Sequence, residues 1–89
     1  MSATTETRVT VTLRLLARYA EVVGAESLVV EVGAPVTVGD VLAAARVRWP
    51  ALTRLPANPL CAVNFRQVRA TTPVVDGDEV ALLPPVAGG

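Results

Sequence analysis

Hydrophobic and polar residues alternate in several short stretches of this chain. Between these stretches, apolar residues recur at the spacing of a helix. Four apolar positions spaced by two from Val9 to Leu15 predict a half-buried strand. Residues 27–32 repeat the alternation, and the short connection between the two segments favours an antiparallel hairpin. Further strands are predicted over residues 60–65 and 79–83, with a short return over residues 67–70.

Two segments carry helical signals. Residues 17–23 predict a short helix or turn that Gly24 is placed to cap, with a wide loop containing one helical turn as the alternative. Thr37 and Asp40 have the spacing of a capping box. They predict a helix from about Val38 to Trp49, which the proline that follows would end.

The order of these elements indicates an α+β fold. Residues 51–59 predict an irregular connection, and Asp76, Gly77 and Asp78 predict a tight turn, because Asp bonds nearby backbone and Gly supplies positive φ. The main helix crosses between sheet elements, so it should pack on one face of a mixed sheet of about four or five strands. This arrangement favours the ubiquitin-like β-grasp topology, with the first and last strands as parallel central neighbours and residues 8–83 as its domain.

The composition argues against several classes of protein, namely nucleic-acid-binding, membrane-spanning and exported proteins. The 89 residues are 52% hydrophobic with a formal net charge of zero, which argues against nucleic acid or an anionic membrane as partner. No apolar run approaches the roughly 18 residues that span a bilayer. Residues 1–7 are polar and lack the apolar core of an export signal, so we expect a disordered lead-in and a cytoplasmic protein.

The chain contains few side chains of the types that act in catalysis. There is no histidine, and all eight basic residues are arginine, so the chain lacks the commonest general base and any side-chain amine. The one cysteine, Cys61, lies in an apolar run and is predicted to be a buried structural thiol. No metal site and no phosphate-binding loop is predicted. We therefore expect the chemistry to belong to a partner.

The C-terminal six residues are unusual for the end of a domain. Two prolines should stop the preceding strand and direct the chain outward, and no later side chain is larger than valine. Six extended residues reach about 20 Å, enough to present the terminal carboxylate inside a narrow channel of another protein. A floppy end or a cloning scar is the alternative. The segment consists of Pro84, Pro85, Val86, Ala87, Gly88 and Gly89.

Two leucines break the alternation of their strands. Leu16 follows Leu15, and Leu83 follows Leu82, so each should point away from the face that carries its strand's other apolar residues. Together with Phe65 they are predicted to form an exposed apolar patch for binding a protein partner beside the C-terminal segment. The alternative is that one leucine is shielded by its own loop.

The element order, residues 62–64, residues 76–81 and the ending over residues 84–89 together resemble the MoaD/ThiS family of ubiquitin-like sulfur carriers. The likeness covers about residues 8–89 and is strongest to small subunits of molybdopterin synthase. It implies that an E1-like (MoeB-like) enzyme uses Mg-ATP to adenylate the carboxylate of Gly89. A sulfur donor, either a sulfurtransferase or a cysteine desulfurase, then forms a thiocarboxylate. A MoaE-like large subunit takes the tail and passes the sulfur to cyclic pyranopterin monophosphate.

The resemblance also assigns roles within the chain. It implies that Gly89 carries the sulfur, that Gly88 keeps the tip slim, and that this chain binds no cofactor and has no activity alone. Leu16 and Leu83 stand where the family places partner-contacting aromatic residues, which is a departure. A sulfur carrier for thiamin, cysteine or tRNA thiolation is the first alternative, and a non-covalent β-grasp adaptor is the second.

Overall fold

The computed structural model of the protein describes residues 8–85. The helices are α1 (Arg18–Val23), α2 (Val38–Arg48) and a 3₁₀ helix (Pro50–Arg54). The strands are β1 (Arg8–Leu15), β2 (Ser27–Gly33), β3 (Val36–Thr37), β4 (Leu60–Val63), β5 (Arg66–Val68), β6 (Pro73–Val74) and β7 (Glu79–Leu83).

Five strands form one mixed sheet in the order β2-β1-β7-β4-β5. The β1 and β2 strands pair antiparallel as a hairpin, and β1 runs parallel to β7, with Leu15 opposite Leu82. The β4 strand pairs antiparallel with both β7 and β5. This is the β-grasp arrangement that the sequence predicted, with the first and last strands adjacent and parallel at the centre.

The core lies between this sheet and α2. Val11 and Leu13 of β1 are fully buried, as are Val41 and Ala45 of α2, and all four belong to one cluster. Burial of these aliphatic side chains is the main force that holds the helix on the sheet. The alternate residues of β1 and β7 lie on the other side of the sheet, which we call the open face.

The predicted helix starts and stops are confirmed. Thr37 donates its backbone N–H to Asp40 Oδ2 at 2.8 Å, and its Oγ1 accepts from the Asp40 N–H at 3.2 Å, which completes the capping box. The α1 helix ends at Val23 and is capped by Gly24, whose φ of 85° is a left-handed conformation that glycine adopts without strain.

Three local predictions need correction. The strand predicted over residues 60–65 ends at Val63, because Asn64 and Phe65 have φ of 50° and 73° and form the turn into β5. The return strand begins at Arg66, one residue earlier than predicted. The connection over residues 51–59 contains most of the 3₁₀ helix, and the β3–β6 pair was not predicted.

The predictions for residues 1–7 and for Val86, Ala87, Gly88 and Gly89 lie outside the described residues. Within residues 8–85, none of the helices has the length and apolar character that crossing a bilayer requires.

Candidate functional site

A shallow concavity of about 590 Å³ lies on the open face, and all three residues of the predicted patch line it. We call Leu16, Phe65 and Leu83 the open-face patch. Leu16 and Leu83 are half-buried and Phe65 is 93% exposed. The structure therefore brings these residues together at one surface.

Strand register explains why the two leucines meet. Leu15 and Leu82 are paired neighbours, and both are buried in the core at 2% and 1% exposure. Because successive side chains alternate between the faces of a strand, Leu83 projects to the open face, and Leu16, just beyond the end of β1, accompanies it. Both leucines line the same concavity, and Leu16 also contacts a hollow formed with Ala17 and Glu21 that follow it.

Small residues form the hollow between the larger ones. Ala62 of β4 faces Ala81 of β7 in register, and both line the concavity with Gln67. Alanine extends no further than Cβ, so these positions leave room that larger side chains would fill. Neither alanine was predicted from the sequence to belong to the site. The sequence signal that could have found them is the two-residue alternation of a strand, because Ala62 lies two residues from Leu60 and Ala81 lies two residues from Leu83.

Phe65 occupies the tip of the β4–β5 turn. A non-glycine residue with φ of 73° is uncommon, and a phenylalanine ring that is 93% exposed is costly to hydrate. The turn holds this ring at the rim of the concavity. An exposed aromatic residue beside an apolar hollow is typical of a surface that is covered by a protein partner.

An ion pair borders the same concavity. Arg14 donates from Nε to Glu79 Oε2 at 2.6 Å, and both side chains are partly exposed. A pair that is this accessible adds little to stability. It places one charge of each sign at the edge of the apolar surface. Complementary charges on a partner protein would fix the orientation in which that partner binds. The Arg14–Glu79 pair was not predicted from the sequence, because the proximity of the two residues depends on the parallel β1–β7 register.

The chain leaves the sheet next to this surface. Pairing of β7 with β4 reaches Leu83, opposite Leu60, and the next two residues are not in a strand. We call Pro84 and Pro85 the tail root. Pro84 is half-buried and Pro85 is exposed. The predicted strand stop at the prolines is confirmed, and the rest of the tail lies outside the described residues.

Nucleophilic and metal-binding chemistry is sparse in the part of the chain that the structure describes. No group of three or more His, Cys, Asp or Glu residues there could hold a metal ion. Cys61 is buried, as predicted, and its Sγ donates to the carbonyl of Pro59 at 3.3 Å. Burial raises the pKa of the Cys61 thiol, and the charge of Arg46 opposes that rise.

The aspartates predicted to form a turn do so. Asp76 Oδ1 accepts the N–H of Thr10 at 2.7 Å, and Asp78 Oδ2 accepts the N–H of Val75 at 2.9 Å. Gly77 between them has φ of 90°. Their carboxylates therefore hold the entry to β7 in place.

Comparisons with known proteins agree with this geometry. A sequence model of the ThiS family matches residues 13–89. The crystal structure of SAMP1 from Haloferax volcanii is 34% identical, with a TM-score of 0.78 over 90% of this chain and 99% of that chain. A putative molybdopterin converting factor subunit 1 from Pyrococcus furiosus is 26% identical, with a TM-score of 0.77 over 88% and 99%.

A complex of subunits 1 and 2 of the molybdopterin-converting factor from Helicobacter pylori also contains a similar chain. That chain is 24% identical, with a TM-score of 0.66 over 91% of this chain and 100% of that chain, and it shows the shared fold.

Proposed function

This chain belongs to the ThiS family of ubiquitin-like sulfur carriers, and from that premise we propose that it is the small, sulfur-donating subunit of a molybdopterin synthase. The observation that carries the proposal is the position of the open-face patch. Leu83 of the patch directly precedes the tail root, so a protein that covers the patch is placed to receive the tail.

The proposed chemistry takes place on the carboxyl group of Gly89. An E1-like adenylating enzyme uses Mg-ATP, and the carboxylate oxygen attacks the α-phosphate and expels pyrophosphate. The terminal sulfur of a persulfide on a sulfurtransferase or cysteine desulfurase then displaces AMP and forms an acyl disulfide. A cysteine thiol of a partner attacks the donor's cysteine sulfur, which leaves a disulfide between the two cysteines and releases the thiocarboxylate of Gly89. Activation is needed because AMP is a far better leaving group than oxide, and sulfur is the better nucleophile in the next step.

In this proposal the described residues bind the partner proteins, while the reaction takes place at Gly89. The leucines and Phe65 supply apolar contact area, and the Arg14–Glu79 pair supplies orientation. The chain itself would hold no cofactor and would have no activity alone. The large subunit would bind cyclic pyranopterin monophosphate, accept the tail and receive the sulfur, within a cytoplasmic heterotetramer.

Two of the similar proteins support this choice of pathway. The Pyrococcus furiosus protein is named as a putative subunit 1 of a molybdopterin converting factor. The Helicobacter pylori protein was solved in complex with its subunit 2. A second protein subunit is therefore the kind of partner we expect at the open face.

A second candidate function has its own support. SAMP1 of Haloferax volcanii is a small archaeal modifier protein, and it is 34% identical to this chain. In a modifier, an amine of another protein would attack the acyl-adenylate of Gly89, which forms an amide bond and expels AMP. This chain has no lysine, so it would not accept such a bond on its own side chains. Carriers for thiamin, cysteine or tRNA thiolation use the same activated end.

Reconstitution separates these functions. The chain, made as its thiocarboxylate, is mixed with the large subunit and cyclic pyranopterin monophosphate, and molybdopterin is measured. We expect molybdopterin to form and the chain to return to its carboxylate, and we expect a variant without Gly89 to be inactive. Absence of sulfur transfer, together with new conjugates on lysines of other proteins, would contradict the proposal and favour the modifier.

A further inference from the structure

A second concavity is lined in part by the tail root. It is bounded by α1, by the segment after the 3₁₀ helix and by Pro84 and Pro85. Three of the residues that line it carry hydrogen-bond donors: Arg18, Tyr19 and Arg54. We call it the tail-root concavity. It is separate from the open-face patch, since the two share no lining residue.

The charges of this concavity are uncompensated within residues 8–85. Its lining contains two arginines and no carboxylate. The ion pairs formed by the described residues are Arg8 with Glu31 and Arg14 with Glu79, so neither Arg18 nor Arg54 is paired there. The acid of α1, Glu21, lines other hollows. Two arginine side chains therefore line one concave surface in a protein that is neutral overall.

Tyr19 provides an independent observation. Its side chain is 5% exposed, and its hydroxyl is the one buried side-chain polar atom that lacks a hydrogen-bond partner within the described part of the chain. Buried hydroxyls almost always have partners, because leaving one unsatisfied costs free energy. The hydroxyl oxygen itself has less than 1 Å² of exposed surface, so an acceptor in the concavity reaches it, and removes that cost, only after a small movement of the Tyr19 side chain.

The walls of the concavity are already fixed. The guanidinium of Arg46 donates to the carbonyls of Pro56 at 3.3 Å and Ala57 at 3.0 Å, which holds the segment after the 3₁₀ helix against α2. Leu55 is buried in the core at 7% exposure. Because these contacts position Pro56 and Leu55 without a ligand, binding does not have to order this wall.

We propose that the tail-root concavity binds an oxyanion. Arg18 and Arg54 would donate charge-assisted hydrogen bonds, and the Tyr19 hydroxyl would donate a neutral one. Two sources supply this chemistry: an acidic side chain of a protein that handles the tail, or a free phosphate. The proposal rests on the geometry of residues 18–56 and the tail root, and it holds whichever sulfur pathway the chain serves.

Nuclear magnetic resonance titration of the full-length chain tests it. Sodium phosphate and sodium acetate are added separately, with sodium chloride at matched ionic strength and pH as the reference. We expect the Nε–H signals of Arg18 and Arg54 and the amide signal of Tyr19 to shift and saturate. Saturation with phosphate alone supports a phosphate ligand, and saturation with acetate as well supports a carboxylate. Shifts that do not saturate, or that sodium chloride reproduces, would overturn the proposal.

Variants sharpen the test. Arg18→Gln and Arg54→Gln should each weaken binding about tenfold, the effect of one lost charge-assisted hydrogen bond. Arg48→Gln removes the same charge from an exposed position that does not line the concavity, and should leave binding unchanged. Equal weakening by all three variants would reveal a general charge effect and overturn the proposal.

Tyr19→Phe gives a second readout that does not depend on the arginines. Without an anion, its thermal stability should equal or exceed that of the wild type, because the hydroxyl it removes has no partner. Phosphate or acetate should then raise the melting temperature of the wild type more than that of Tyr19→Phe. An equal rise in both proteins would exclude the hydroxyl from the site and overturn its part in the proposal.

Discussion

Asn64 joins two separate stretches of the chain through one short side chain. Its Nδ2 donates to Asp78 Oδ1 at 3.0 Å, and its Oδ1 accepts the N–H of Glu79 at 3.0 Å. Its own N–H donates to the carbonyl of Glu79 at 2.9 Å. Asparagine suits this position because it both donates and accepts, and because it tolerates the left-handed φ of 50°.

Asn64→Ala should therefore lower the free energy of unfolding by about 1–3 kcal/mol, since it removes two hydrogen bonds and disfavours the left-handed backbone. Denaturant unfolding measures the change. Asn58→Ala is the matched control, because Asn58 is exposed and forms no side-chain hydrogen bond to another residue within 8–85. Equal effects of the two substitutions would show that the Asn64 contacts contribute nothing.

The sequence predicted the role of the aspartates and missed that of Asn64. Asp-Gly-Asp is a turn signal in itself, because its mechanism is local. Asn64 and Phe65 instead follow an apolar run, and an apolar Phe65 looks like a continuation of the strand. Positive φ at both positions leaves no trace in the hydrophobic pattern. The partner of Asn64 is 14 residues away, so only the folded structure reveals it.

The buried thiol of Cys61 makes stability sensitive to alkaline pH. Burial raises its pKa above the ordinary value of 9.0, although the charge of Arg46 opposes the rise. The unfolded chain then releases this proton at lower pH than the folded chain. The stabilisation is complete below the ordinary pKa and is lost as pH rises through the raised one.

Cys61→Ala should accordingly show a shallower loss of stability above pH 9.0 than the wild type, even though the truncation lowers its stability at neutral pH. Denaturant unfolding at a series of pH values compares the two slopes. Parallel slopes would contradict a raised pKa at Cys61.

At the scale of the element, the first N–H groups of α2 find their acceptors in two places, the capping box and a loop that is distant in sequence. The N–H of Val38 donates to the carbonyl of Thr72, and that of Gly39 donates to the carbonyl of Ala70, both at 2.9 Å. The Thr37 side chain therefore has to satisfy only the Asp40 N–H. The helix was predictable because the capping box is a local signal. The loop that completes it is distant in sequence.

Thr37→Ala should lower the free energy of unfolding by about 1 kcal/mol, because it removes the acceptor of the Asp40 N–H. The N–H groups of Val38 and Gly39 keep their carbonyl acceptors in the loop. Thermal or denaturant unfolding measures the loss. Thr71→Ala is the control, since Thr71 is exposed and is not part of the capping box. A loss at Thr37→Ala no greater than at Thr71→Ala would contradict a stabilising cap.

Three short elements were not predicted from the sequence: β3, β6 and the 3₁₀ helix. The β3 and β6 strands have two residues each, too few for any periodicity, and they exist only as a pair. The 3₁₀ helix begins at Pro50, where a proline signals a stop, yet it buries Leu52 at 2% exposure. Tertiary packing, which has no local signature, decides these elements.

At the scale of the whole molecule, alternation along β1 and β7 gives the protein two different faces. The core face is covered by α2, and the open face keeps an apolar hollow beside the tail root. The open-face leucines were predictable because a break in a period of two is visible in the sequence. The surrounding alanines and the Arg14–Glu79 pair were not, since they depend on β-sheet register.

Leu83→Asp tests the open face. We expect it to weaken binding to the large subunit by at least about tenfold, as for a charge placed in an apolar interface centre, with little change in unfolding free energy. Calorimetric titration and denaturant unfolding provide the two readouts. Its neighbour gives the contrast: Leu82→Ala should cost about 2–5 kcal/mol of stability, because Leu82 is 1% exposed. Collapse of the Leu83→Asp fold would place Leu83 in the core instead.

The most direct measurement is the intact mass of the chain after co-expression with an E1-like adenylating enzyme and a sulfur donor. We predict a gain equal to the difference between one sulfur and one oxygen atom, located by fragmentation at Gly89 and lost when Gly89 is deleted. An unchanged mass, in a reaction where a known carrier is converted, would contradict the role of this chain as a sulfur carrier.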